Sequence, residues 1–324
     1  MFNLGFFGSH NASFAISFAD QVLEVVEVER LLNSKNAALF YWGHHDNIRE
    51  LLTEVKDYFE QKYGVTKYRT VVFNSVNDRM WEMFPAETYK CVLHHEAHAY
   101  SGLYQSSYQK ALIISFDGGS DEGFFNVFIG DKFGELEKIY SGKTDYAVSY
   151  MVAGHFIRDI KQEPTIDQGN FAYAGKLMGL AGYGAVDESL VDDLIKFYKT
   201  SVTDSIVDAR KRFIEIFSHL GIVDDTTRLK GEVGLNLAAT NQYVFEKLFY
   251  EEVNDILEEH NTLPIVLVGG CALNILNNTI LAKTRQVFVP PNPNDTGQAV
   301  GLVCSVIKPP RPVDCTYIGP EVWD

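Results

Sequence analysis

The sequence is poor in the features that would take it out of the ordinary globular class. No apolar run approaches the roughly 18–20 residues that a membrane helix needs, so no membrane span is expected. The N-terminus has no basic segment followed by an uninterrupted apolar stretch, so no secretory leader is expected either. Cysteine is scarce: the four residues at 91, 271, 304 and 315 show neither CxxC spacing nor the density of a small secreted scaffold. A reducing, cytoplasmic compartment follows as the expectation. Basic runs are missing too. Against 43 acidic residues stand 28 Lys and Arg, a formal charge of −15. That field repels phosphate polyanions, which disfavours extended contact with nucleic acid. Low-complexity sequence is also lacking, and 46% hydrophobic with 22% charged residues describes a chain able to bury a core. At 324 residues it exceeds an average domain, which predicts one large α/β domain or two lobes around a cleft.

What is present begins with three apolar segments, Leu4 to Phe7, Ala12 to Phe18 and Val22 to Glu27, the first two separated by Gly8-Ser9-His10-Asn11. They read as strands around a polar turn. A similar series starts at Ala111 with ALIISFDGG, turns through Ser120-Asp121-Glu122-Gly123, and continues with FFNVFIGD and ELEKIYSG. Two copies of strand, glycine-rich turn, strand, strand predict a duplicated α/β fold of the actin-like type, divided at 1–110 and 111–324, whose turns face each other across a cleft and cradle phosphate. The alternative is two unrelated hairpins. Helical spacing marks Asp46 to Tyr63 and Asn236 to His260. Near the C-terminus PIVLVGG, at 264–270, predicts a buried strand ending in paired glycines, then a helix over Cys271 to Lys283 and the strand QVFVP. Amides at such a helix start can hold an anion.

The densest chemical signal is His94-His95-Glu96-Ala97-His98. His94 and His98, four apart, share one face of a helix at a separation suited to a common metal ion, whereas His95 points elsewhere. A hydrogen-bonded helix end is the bland alternative, and the order is not the HExxH of zinc proteases. Asp117 in SFDGGSDEG and Asp295 in PNPNDTG sit beside small residues at expected turns, either as further ligands or as caps. Two histidines and two carboxylates suit iron(II), manganese or zinc better than magnesium or copper(I).

Seven segments, GSHNAS, VEVERLLNSK, HHEAHA, SFDGGSDEG, GKLMGLAGYG, VGGCALN and PNPNDTGQAVG, occur in the order and approximate spacing of the NodU/CmcH-type O-carbamoyltransferases, which the chain resembles from residue 4 to Pro320. The resemblance implies the duplicated actin-like (ASKHA) fold, with His94, His98, Asp117 and Asp295 holding a metal regarded in the family as iron. It implies that Gly269-Gly270 and Asn274 face the nucleotide, ATP or carbamoyl adenylate, and that Lys35 and Lys176 lie near the donor. Two departures stand out: the family's HDAS is His10-Asn11-Ala12-Ser13 here, and its ERxxRxKH stretch keeps Arg30 and Lys35 but has Asn33 and Asn36 at other basic places. Relatives continue past a segment like Tyr317-Ile318-Gly319-Pro320 into a YrdC-like domain that makes carbamoyl adenylate from carbamoyl phosphate and ATP. This chain ends at Asp324, so a separate YrdC-like partner is expected.

The implied reaction needs a held adenylate, a polarised carbonyl and an acceptor hydroxyl. A metal acts there as Lewis acid, Lys35 and Lys176 add positive charge, and His10, the cleft histidine not assigned to metal, is either the candidate general base or a hydrogen-bonded turn residue. Sugars, secondary metabolites and hydroxymethylated pyrimidines, free or in DNA, all present suitable hydroxyls. Two other readings remain: a relative of the tRNA threonylcarbamoyl transferases, against which the −15 charge argues, and a non-catalytic nucleotide- and metal-binding regulatory subunit.

Overall fold

The computed structural model describes residues 1–39, 45–74, 79–120, 123–162, 171–200, 205–316 and 318–320. The expected turn residues Asp121 and Glu122, Tyr317 and the terminal Asp324 lie outside them. In chain order the elements are β1 (Phe2–Phe7), β2 (Ser13–Phe18), β3 (Gln21–Glu27), α1 (Val28–Leu31), α2 (His45–Tyr63), β4 (Tyr68–Phe73), β5 (Ala86–Cys91) and α3 (His94–Gln105). Then come β6 (Lys110–Ser120), β7 (Gly123–Asp131), β8 (Leu136–Gly142), α4 (Tyr146–His155), α5 (Ala172–Ala181), α6 (Glu188–Thr200), α7 (Ile206–Ile216) and α8 (Gly231–Glu259). The chain closes with β9 (Ile265–Val268), α9 (Ile275–Ala282), β10 (Val287–Phe288) and α10 (Gln298–Ile307).

Two five-stranded sheets repeat one topology. The first has the order β3-β2-β1-β4-β5 and the second β10-β9-β6-β7-β8, each an antiparallel three-strand meander extended by two parallel strands. The repeat is a true duplication of architecture. The central strands are buried along nearly their whole length, and β9 reads IVLV with no polar residue. Helices on both faces of a sheet explain that loss of alternation.

Two helices cross between the repeats. α3, from the first half of the chain, packs on β6, β7 and β9, while α10, from the far end, packs on β1 to β4 and against α3 itself. Their contact requires bare backbone, since a Cβ on Gly301 would sit inside the Ala97 carbonyl oxygen, and α10 approaches β1 as closely, since one on Gly5 would sit inside that of Ala299. Van der Waals radii forbid both, so α10 approaches α3 and β1 as closely as glycine allows.

The late glycine turn differs from the helix expected over Cys271 to Lys283. Gly270–Leu273 forms one 3-10 turn and α9 begins only at Ile275. Asn274 is the break, because its side chain accepts from the Asn277 amide and caps α9. Among the described residues no helix is long and apolar enough to cross a membrane.

Candidate metal centre and cleft

α3 brings His94 and His98 onto one face; Asp117, expected in a turn, lies within the last part of β6, and Asp295 opens the 3-10 turn before α10, and both meet the two histidines. One ligand atom from each of the four lies within 4.8 Å of every other. His98 Nε2 is 3.2 Å from His94 Nε2, 3.1 Å from Asp295 Oδ1 and 3.0 Å from Asp117 Oδ2, and His94 Nε2 is 3.3 Å from Asp295 Oδ1. A metal bound at about 2.0–2.2 Å holds neighbouring ligands about 3.0–3.4 Å apart. The donor set therefore fits a single ion.

Its electrostatics fit as well. Two carboxylates side by side in a buried site repel each other, and the pair persists only with positive charge between them. For Asp117, burial and the Asp295 charge push the pKa up, yet His98 and His94 hold it at about 2. For Asp295, burial is outweighed by His94, His10 and His98, which keep it well below the usual range. The ring of His98 is opposed by burial but raised to about 9 by both carboxylates.

The orienting hydrogen bonds fall on the carboxylates. Gly270 N donates to Asp117 Oδ2 at 2.7 Å, and Gly118 N donates to Asp117 Oδ1. Gln298 Nε2 donates to the His94 carbonyl at 3.2 Å. Among the described residues His98 Nδ1 has no hydrogen-bond partner, and its ring is buried. His95 faces away: its nitrogens lie 2.7 Å from Ser115 Oγ and 3.0 Å from the Gly123 carbonyl oxygen, and burial lowers it to about 3.

The cluster lies in the wall of a cavity of about 890 Å³ between the lobes. His10 lines it, with Nε2 3.3 Å from Asp295 Oδ2, Nδ1 3.1 Å from Asn11 Oδ1, and its ring 4.8 Å from that of Phe171. Lys35, Gly270 and Asn274 line it too. Lys176 does not join them. It is exposed on α5, its Nζ 3.5 Å from the Ile160 carbonyl, while Ala174, Gly175 and Met178 of the same helix face the cavity.

The paired glycines also act differently from an anion cradle. Gly269 N donates to the Pro293 carbonyl at 2.7 Å and Gly270 N to Asp117, so neither amide is left for a phosphate. Gly269, at φ 90°, is instead required where β9 meets β6, since a Cβ would enter the Phe116 carbonyl. The Asn274 amide is likewise engaged, exchanging bonds of 3.0 and 3.1 Å with Gln242, whose Oε1 also accepts from Tyr150 OH at 2.6 Å. No sequence pattern marks the second lobe's apolar wall, where Tyr150, Met151, Met178, Phe245 and Leu273 come together. They arrive from four separate segments, so no local motif could mark them.

Known proteins share this architecture. The activator of 2-hydroxyisocaproyl-CoA dehydratase from Clostridium difficile, solved with bound ADPNP, superposes with a TM-score of 0.52 at 16% identity, covering 95% of this chain and 94% of that one. HypF of T. kodakarensis superposes with a TM-score of 0.55 at 14% identity, covering 94% of this chain and 47% of that one. The fold is thus the duplicated actin-like ATPase fold. Nodulation protein U of Bradyrhizobium diazoefficiens is 29% identical over 249 residues, 70% of this chain and 42% of its own length. Nodulation protein U of Sinorhizobium fredii is 30% identical over 264 residues, 74% and 46%. An uncharacterized protein of Methanocaldococcus jannaschii is 26% identical over 340 residues, 98% and 60%. The chain spans about half the length of the curated relatives it matches. The family described as carbamoyltransferase N-terminus matches residues 25–304, which include all four residues of the cluster, and this chain belongs to it.

Proposed function

We propose that this chain is an O-carbamoyltransferase module whose cleft holds carbamoyl adenylate beside one divalent transition metal and passes the carbamoyl group to a hydroxyl. The observation that carries the reading is the convergence of His94, His98, Asp117 and Asp295 on the wall of a cavity of about 890 Å³, in a chain of the carbamoyltransferase N-terminus family. Held by those side chains, iron(II) or a related ion would supply Lewis-acid polarisation of an oxygen that gains charge.

The chain's own residues do the rest. The acceptor oxygen bonds to the carbamoyl carbon while the bond from that carbon to the phosphate oxygen breaks, and AMP leaves with the electron pair. The hydroxyl proton passes to His10. In the tautomer whose Nδ1 donates to Asn11 Oδ1, Nε2 takes the proton, and the N–H so formed pairs with Asp295 Oδ2, 3.3 Å from that same nitrogen. Lys35 is the cation for the adenylate phosphate. Tyr150, Met178, Phe245 and Leu273 form the surface for adenine, bordered by Gly270 and Asn274.

The test supplies purified protein with preformed carbamoyl adenylate and a panel of hydroxyl compounds, read by mass spectrometry. Carbamoylated product from the wild type and none from a His94→Ala, His98→Ala double variant is expected. Hydrolysis of the donor to AMP at one rate with and without acceptors, and no product, would overturn the proposal.

A further inference from the structure

Resting on the metal centre of that reading, a role for the histidine between its two ligands follows from the strand that carries Asp117. β6 and β7 pair in register as far as Phe116 and Phe125, and pair again at Ser120 and Gly123. Between those pairs three residues of β6, Asp117, Gly118 and Gly119, stand opposite Phe124 alone. The ligand Asp117 and its cavity-lining neighbours Gly118 and Gly119 therefore sit on a bulge, where the ladder does not fix the backbone. Gly119, at φ 104°, marks the irregularity. The Gly270 amide anchors the Asp117 carboxylate, and the strand on either side of the bulge needs an anchor of its own.

His95 spans that bulge. It is fully buried on α3, with Nδ1 2.7 Å from Ser115 Oγ, on β6 before the bulge, and Nε2 3.0 Å from the Gly123 carbonyl oxygen, on β7 after it. A carbonyl oxygen only accepts, so Nε2 carries a hydrogen. Nδ1 of the neutral ring is then an acceptor, and the Ser115 hydroxyl donates to it. One rigid ring thus ties both flanks of the bulge to the helix that bears His94 and His98. A buried histidine that served packing alone would be satisfied by any two partners; these two bracket a metal ligand.

We propose that His95 is a positioning residue that, through its Nε2–H bond to Gly123, holds the bulge of β6 to the metal helix and so sets where Asp117 meets the ion. Nitrogen-15 NMR of the full wild-type chain should show His95 as the Nε2–H tautomer; an Nδ1–H ring would overturn the proposal. Two variants then separate the bonds. In His95→Gln the side-chain amide nitrogen reaches about as far as Nε2 and still donates to Gly123, whereas the shorter amide of His95→Asn meets Ser115 alone. Zinc affinity by calorimetry should fall at least about tenfold in His95→Asn, as when an orienting partner of a metal site is lost, and stay within about threefold of wild type in His95→Gln. Hydrogen exchange across 117–120 in the metal-free proteins should be faster in His95→Asn than in His95→Gln. Melting temperatures are read beside both, and a zinc loss that follows stability alike in the two variants overturns the role. So does equal exchange in the two. A wild type that takes up no zinc sinks the metal reading above, while the tautomer and the exchange comparison still decide the part played by His95.

Discussion

Replacing Gly301 by alanine tests the idea that the metal cluster depends on the closeness of α3 and α10. In an exposed helix the change would stabilise by about 1 kcal/mol, since alanine loses less backbone entropy on folding. Here the new methyl would overlap the Ala97 carbonyl, with Ser101 N also at its contact limit. Relief requires the helices to separate by roughly 1 Å, and overpacking of this kind costs about 1–3 kcal/mol, sometimes more. The steric term wins. A loss of roughly 3–8 °C in melting temperature is expected. The second consequence is at the site. His94 and His98 ride on α3 while Asp295 immediately precedes α10, so separation pulls the donor set apart and lowers metal content in elemental analysis. Gly179→Ala on α5, where a Cβ meets nothing within 4 Å, is the control and should be neutral or slightly stabilising. A Gly301→Ala protein as stable as that control, with full metal content, would refute the packing argument.

Three other outcomes are open to measurement. Addition of iron(II), manganese or zinc should raise the melting temperature of the wild type and leave the His94→Ala, His98→Ala double variant unmoved; an equal rise in both would exclude the cluster as the site. Burial raises the Asp145 carboxyl from 3.8 to about 7, so the folded state binds that proton more tightly than the unfolded one. Its contribution to stability is therefore lost as pH rises from about 4 to about 7, by up to about 4 kcal/mol. Asp145→Asn, which keeps an oxygen to cap α4 at Val148, should flatten that part of the curve in urea unfolding at pH 5 and pH 8; an unchanged slope would count against it. Glu24, 1% exposed, accepts from Tyr58 OH at 2.5 Å and Tyr63 OH at 2.7 Å and pairs with Lys62 at 3.1 Å. Glu24→Gln should cost about 1–3 kcal/mol through weakened charge-assisted bonds tying α2 to β3, seen as a lower urea midpoint.

Local order in the chain determined a good deal by itself. The meanders at 2–27 and 110–142, the long helices and the 94/98 pair follow from periodicities of two and 3.6, which are properties of backbone geometry. Asp117 and Asp295 could be singled out as turn carboxylates, yet either could as well have been a cap. Only tertiary structure decided between those roles, because Asp295 lies 197 positions from His98 and meets it through the packing of α10 on α3. The same holds for Lys176, whose motif points to the donor and whose Nζ lies 3.5 Å from the Ile160 carbonyl, a contact that no neighbouring residue announces. It holds for the paired glycines, whose amides are taken by Pro293 and Asp117, partners that no neighbouring residue announces. Sequence spacing sets which side chains share a face; which faces meet depends on how two sheets and the helices between them bury their apolar surface, and that is a property of the whole chain.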